Sequence, residues 1–159
     1  MNFIIEGFEK TFIREDRYKM FLEGIGNTLM VALFATLIGV LIGALIAIVK
    51  TIHKQSNKLK ILNAIAEIYT TIIRGTPVVV QLMIMYFIIM IKCTNGVLVA
   101  IIAFGINSGA YVAEIIRSGI MSIDKGQLEA GRSLGLSYPK TMILIILPQA
   151  FKNVLPALG

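Results

Sequence analysis

Charged residues fall in short clusters along this chain, and long apolar runs separate them. Residues 24–49 carry no charge. As a helix rising about 1.5 Å per residue, they reach across a hydrocarbon core of about 30 Å with length to spare. This predicts a first membrane span. Within it Ala35, Gly39, Gly43 and Ala47 recur at every fourth position, a stripe of small side chains that lets another helix approach closely. Residues 50–60 then bring Lys50, Lys54, Lys58 and Lys60 with no acid among them. A basic connection stays in the cytoplasm, so the chain is expected to start outside, cross inward and return.

The second run, 61–91, is interrupted. Lys60, Glu67 and Arg74 are seven apart near one helix face, while Ile61, Ile65, Ile68 and Ile72 line another, which predicts an amphipathic lead-in. Arg74-Gly75-Thr76-Pro77 breaks the pattern, and Thr76 as N-cap with Pro77 as first residue would start a new helix. The charge-free remainder, 77–91, is only about 22 Å long as a helix. Residues before Arg74 must also lie in the membrane, which puts Arg74 at a depth where a charge needs protein or water beside it.

After a short outer turn at 92–96, residues 97–116 form a third span, with Asn107, Ser108, Tyr111 and Glu114 on it. Arg117, Lys125, Arg132 and Lys140 then mark cytoplasm again. Residues 139–158 make a fourth apolar stretch, with Pro148 and Pro156 inside it. Between the last two spans, 119–137 is too long for a tight turn. Asp124 is placed to cap a short helix there and Gly135 to end it in the left-handed conformation. The fold class is all-α: a polytopic helical membrane protein forming a single domain over 1–159.

Composition agrees with this reading: 57% of the 159 residues are apolar and 15% charged, against about 25% charged in soluble domains. Mean hydropathy is +0.83. The net charge of +6 sits in the connections, so it reports topology rather than nucleic-acid binding. Cys93 and His53 are the sole residues of their kinds, which leaves no metal-ligand cluster and no disulfide framework. The first twenty residues mix acids and bases and do not form a signal peptide. No Gly-x-x-x-x-Gly-Lys-[Ser/Thr] loop is present, so any ATP hydrolysis belongs to another chain.

Around residues 127–148 the residue pattern becomes specific. It runs Glu129-Ala130-Gly131, then Gly135, then Ile145, Leu147 and Pro148. This resembles the signature of ABC importer permeases, in which Glu-Ala-Ala is followed after three residues by Gly, after nine more by Ile, and after one more by Leu-Pro. Gly131 replaces the second Ala. Arg74-Gly75-Thr76-Pro77 with Gln81, the run from Asn107 to Tyr111 with Glu114 and Arg117, Lys125-Gly126-Gln127, and Pro148-Gln149-Ala150 are similar to the polar amino acid uptake branch (histidine, glutamine and arginine types).

The resemblance implies a type I permease fold working in pairs, each chain with about five helices, in a bacterial inner membrane. It implies two ATP-binding cassette subunits as partners, a second permease subunit and an external substrate-binding protein. No cofactor belongs to this chain; ATP is used by the partner. Gln127, Glu129, Ala130, Gly131, Leu134 and Gly135 would couple to the ATPase. Family members continue past the position of Gly159 with another membrane helix, so a fifth span is expected to be missing. That length also raises the alternative of a non-transporting or decayed permease. A secondary transporter, the remaining alternative, would need an ionisable relay, for which only Arg74 and Glu114 offer themselves.

For the substrate path, the new helix at Thr76 would present free N–H groups to an anionic group. Arg74, Gly75, Thr76 and Gln81 are expected to face Asn107, Ser108, Tyr111 and Glu114. The competing structural roles are pairing of Arg74 with Glu67 and of Glu114 with Arg117 three residues on.

Overall fold

A computed structural model describes Thr11 and residues 16–158. The mixed-charge start on which the signal-peptide reading rests therefore lies mostly outside the described residues. Among them the chain is helical. α1 is Tyr18–Ser56, α2 is Lys60–Gly75, and α3 is Val78–Ile84 extended by a wider π turn at Met85–Ile89. α4 is Gly96–Met121 and α5 is Lys125–Ser133. α6 comprises Tyr138–Thr141, a π turn at Met142–Ile146, and Leu147–Leu158.

Helices α1 and α4 form the centre. Residues 35, 39, 43 and 47 of α1 are all buried, and a Cβ placed on Gly39 or Gly43 would meet Ser108 Oγ at 2.5 Å or Val112 Cγ1 at 2.6 Å. α4 answers in kind, with Gly105 and Gly109 closing on Ile38 and Ile42. Each helix thus sets a branched side chain into the gap left by a glycine on the other. Lipid tails are as apolar as Ile, so this close van der Waals fit, rather than expulsion of water, holds the pair. The opposite face of α1, with Leu29, Leu33, Leu37, Leu41 and Leu45, is exposed, as a lipid-facing stripe should be.

The basic segment 50–60 is not a loop. Nothing between Lys50 and Ser56 breaks a helix, so α1 continues 39 residues to Ser56 and ends where Asn57 turns left-handed (φ 54°), its N–H bonding to His53 O at 2.9 Å. The connection shrinks to residues 57–59. Lys50 therefore sits inside a helix, not in a cytoplasmic loop.

α2 has the expected two faces, with Ile61, Ile65, Ile68 and Ile72 outward and Ala66 and Thr70 buried. The break that follows bends α2 and α3 by 108°. Here the sequence expectation needs correction. Thr76 is not the N-cap of the new helix; its hydroxyl donates backward to Ile72 O at 2.7 Å, a nearer acceptor. Pro77 is the residue before the helix rather than its first, and Val78 begins it. The joint is fastened by Gln81, whose Nε2 donates to Ile73 O (2.7 Å) and Thr76 O (2.9 Å). Gln81→Leu is expected to lower stability by about 1–2 kcal/mol, because two carbonyls at the bend lose their donor; a thermal midpoint in detergent unchanged from wild type would refute this.

Two of these helices, α1 and α4, are long and apolar enough to cross a membrane, and the bent α2–α3 pair counts as a third crossing if taken as one span. Residues 138–158 are helical in three pieces. Pro148 explains the π turn before it: proline has no N–H for Leu144 O and its ring would strike that carbonyl, so the widened turn makes room.

Candidate functional site

Two sites emerge, one on the short helix α5 and one inside the bundle. α5 follows from its ends. Asp124 Oδ1 accepts from Gly126 N at 2.6 Å. At the other end Gly135 takes φ +82°, with Gly135 N bonded to Arg132 O (3.0 Å) and Leu136 N to Gly131 O (3.1 Å). This pair of bonds closes a helix at a left-handed glycine, so both termini have the boundaries read from the sequence. Gln127, Glu129, Ala130 and Leu134 are exposed, Leu134 at 81%. Gly131 is the exception. It is buried, and a Cβ there would collide with Thr141 Cγ2 and lie 3.2 Å from Ile145 Cδ1. Thr141 itself is fully buried. Gly131 is therefore the point where α5 rests on α6, and its lack of a side chain serves that contact rather than the outer face.

The internal site is built around a lysine that sequence reasoning assigned to a loop. Lys50 is 4% exposed. Its Nζ donates to Glu114 Oε1 (2.5 Å) and Thr70 Oγ1 (2.9 Å) and lies 3.3 Å from Glu67 Oε1. Glu114 also accepts from Arg117 Nε (2.9 Å) and has Arg74 Nη1 at 3.9 Å. Arg74 lies over the Tyr111 ring, 5.5 Å from its centre. Three helices, α1, α2 and α4, thus converge through charged groups on one carboxylate. In a low-dielectric interior such a group persists only when paired in this way.

A cavity of about 320 Å³ opens on this cluster, lined by Glu67, Thr70, Thr71, Arg74, Glu114 and Arg117. Its walls are polar, and with Lys50 behind them they hold three cations and two carboxylates. Glu114 has several cations around it, whereas Arg74, its side chain 45% exposed, has beside the Tyr111 ring one carboxylate at the edge of ion-pair range among the described residues. Arg74 is thus the cation most open to a further anion.

The residues expected along the path divide accordingly. Arg74, Tyr111 and Glu114 are brought together. Gln81 fastens the bend and accepts from Asn107 Nδ2 at 3.1 Å. Ser108 packs on Gly39. Gly75 and Thr76 lie at the break itself. Glu114 does pair with Arg117, whereas Glu67 meets Lys50 rather than Arg74.

The bundle thus combines apolar helices long enough to cross a membrane, a charged cluster inside, and a short, exposed helix between its third and fourth helical runs. Residues 39–159 match the family described as binding-protein-dependent transport system inner membrane component, and the chain belongs to that family. A relative named as a putative glutamine transport system permease protein in Rickettsia prowazekii is 46% identical over 143 residues, covering 86% of this chain and 62% of the relative. An arginine transport system permease protein of Bacillus subtilis is 41% identical over 140 residues, covering 86% of this chain and 62% of that protein. The chain thus spans less than two thirds of the length of these relatives. A crystal structure of an amino acid ABC transporter with histidines superposes with a TM-score of 0.77 at 41% identity, over 89% of this chain and 65% of that one.

Proposed function

We propose that this chain is the membrane-spanning subunit of an ATP-driven amino acid importer. In this reading α5 seats in an ABC-type ATPase, a second permease chain of the same or a related kind completes the path, and a binding protein outside delivers the substrate. The N-terminus lies outside a bacterial inner membrane, and residues 138–158 complete a fourth crossing. The polar cavity beside Arg74, Tyr111 and Glu114 receives the zwitterion, with its carboxylate on Arg74. A pocket of this size fits a small polar ligand. The observation that carries the reading is the posture of α5: it is capped at both ends, braced from behind at Gly131, and exposed along Gln127, Ala130 and Leu134. A short helix held this way suits insertion into a partner's groove.

Glu129 is exposed on this helix. Glu129→Lys is expected to leave the chain inserted while reducing recovery of a co-expressed ABC ATPase by at least about tenfold, since an ammonium would face the partner's donors where a carboxylate accepts from them. Recovery at wild-type yield in a pull-down from membranes would reject the coupling role.

A further inference from the structure

Where α5 lies beneath the ends of α1 and α4 there is a second cleft, of about 340 Å³, distinct in chemistry from the polar cavity. Its floor is apolar: Ile120, Met121, Ile123, Leu128 and Ile146. Four cations stand on its walls, Lys50, Lys54, Arg117 and Lys125. Lys50 and Arg117 are already held by Glu114. Among the described residues Lys54 Nζ bonds to the thioether Sδ of Met121 alone, at 3.4 Å, and Lys125 has no side-chain partner. Two carboxylates, Asp124 and Glu129, also stand on the lining, Asp124 accepting from the neutral Gly126 N–H and keeping its charge. The lining thus carries four cations to two carboxylates, and the adjoining residues add Lys58 and Lys60 with no acid.

An apolar floor with unpaired lysines at its rim matches a molecule with an anionic head and a hydrocarbon body. The cleft also lies at the end of two membrane-crossing helices, on the side where basic connections gather, the level at which such headgroups sit. We propose that this cleft binds one anionic phospholipid, its phosphate between Lys54 and Lys125 and an acyl chain along Ile120, Leu128 and Ile146. Bound there, the lipid would join α1, α4 and the docking helix α5 through a single molecule.

The test is native mass spectrometry of the whole chain released from mixed micelles, with phosphatidylglycerol and phosphatidylcholine of identical acyl chains as probes. Retention of one phosphatidylglycerol per chain is expected, with phosphatidylcholine lost. The paired change Lys54→Gln with Lys125→Gln should weaken retention by roughly 30-fold, at the usual worth of a lysine beside an anionic headgroup. Both side chains are exposed, so folding is preserved and is checked by helicity. Lys58→Gln with Lys60→Gln, outside the cleft, should leave most of the retention. Equal retention of the two lipids, equal loss in both pairs of variants, or displacement by millimolar glycerol phosphate would overturn the proposal. So would retention that falls as the dimer fraction rises, the sign of a second copy filling the cleft.

Discussion

Glu114→Leu lowers the stability of the folded chain by about 3–5 kcal/mol, the cost expected when one partner of a buried ionic cluster is removed and the rest stay charged. Lys50 makes the effect large. Its side chain is 3% exposed, so without Glu114 it keeps only Thr70 and a more distant, half-exposed Glu67. The midpoint of an SDS unfolding titration in mixed micelles measures the loss. The double change Lys50→Met with Glu114→Leu should recover most of it, because both buried charges go, the space fills with apolar atoms, and Glu67, Arg74 and Arg117, which lose a partner, have side chains that reach solvent. A single variant as stable as wild type, or a double variant no better than the single, would show that the cluster does not hold the three helices together.

Gly131→Ala is the second large effect. Alanine is the better helix former by about 1 kcal/mol, and by propensity alone the substitution should stabilise α5. The contact decides otherwise. The added methyl collides with Thr141 Cγ2, and Thr141 is buried with no open space into which to turn. Overpacking of this kind costs about 1–3 kcal/mol, so the net result is a lower thermal midpoint and a looser α5. Thr141→Ser removes the struck methyl and should rescue most of the loss. The remaining neighbours, the hydroxyl at 3.1 Å and Ile145 Cδ1 at 3.2 Å, are flexible ends that can yield. Limited proteolysis in the segment after Gly135 reads the same change. If Gly131→Ala alone stabilises the chain, the bracing contact is not what holds α5.

Much of this architecture was legible because membrane helices write their constraints in simple terms. The four-residue spacing from Ala35 to Ala47 names the face of α1 that meets α4, and Asp124 and Gly135 bound α5 through local hydrogen bonds that need no tertiary context. What escaped was long-range. Lys50 reads as the first of four loop lysines, yet it stands three residues past Ala47, near the same helix face as the small-residue stripe, and that spacing was the available signal. Its partners Glu67, Thr70 and Glu114 lie 17 to 64 residues away; nothing local specifies their meeting. Thr76 failed for the opposite reason. A capping rule assigns its hydroxyl forward, but Ile72 O lies one turn behind and takes it. Gly131 looked like a tolerated departure because its neighbour Thr141, ten residues on, is brought beneath it only by the turn that Gly135 makes.

The π turn at Met142–Ile146 has a mechanical consequence. Upstream of it, Thr141 is wedged under α5; downstream, Val154 is pressed against Gly119 of α4 so tightly that no side chain fits between. Both ends are stiff links, since neither contact can slide without overlap. Between them the helix widens into the π turn, a local departure from the regular ladder of the kind often found at functional sites. Along α6, a displacement of α5 would pass through residues 142–146 before it reached the contact of Val154 with α4. Pro148, two residues past the turn, has no N–H with which to return residue 144 to the regular ladder.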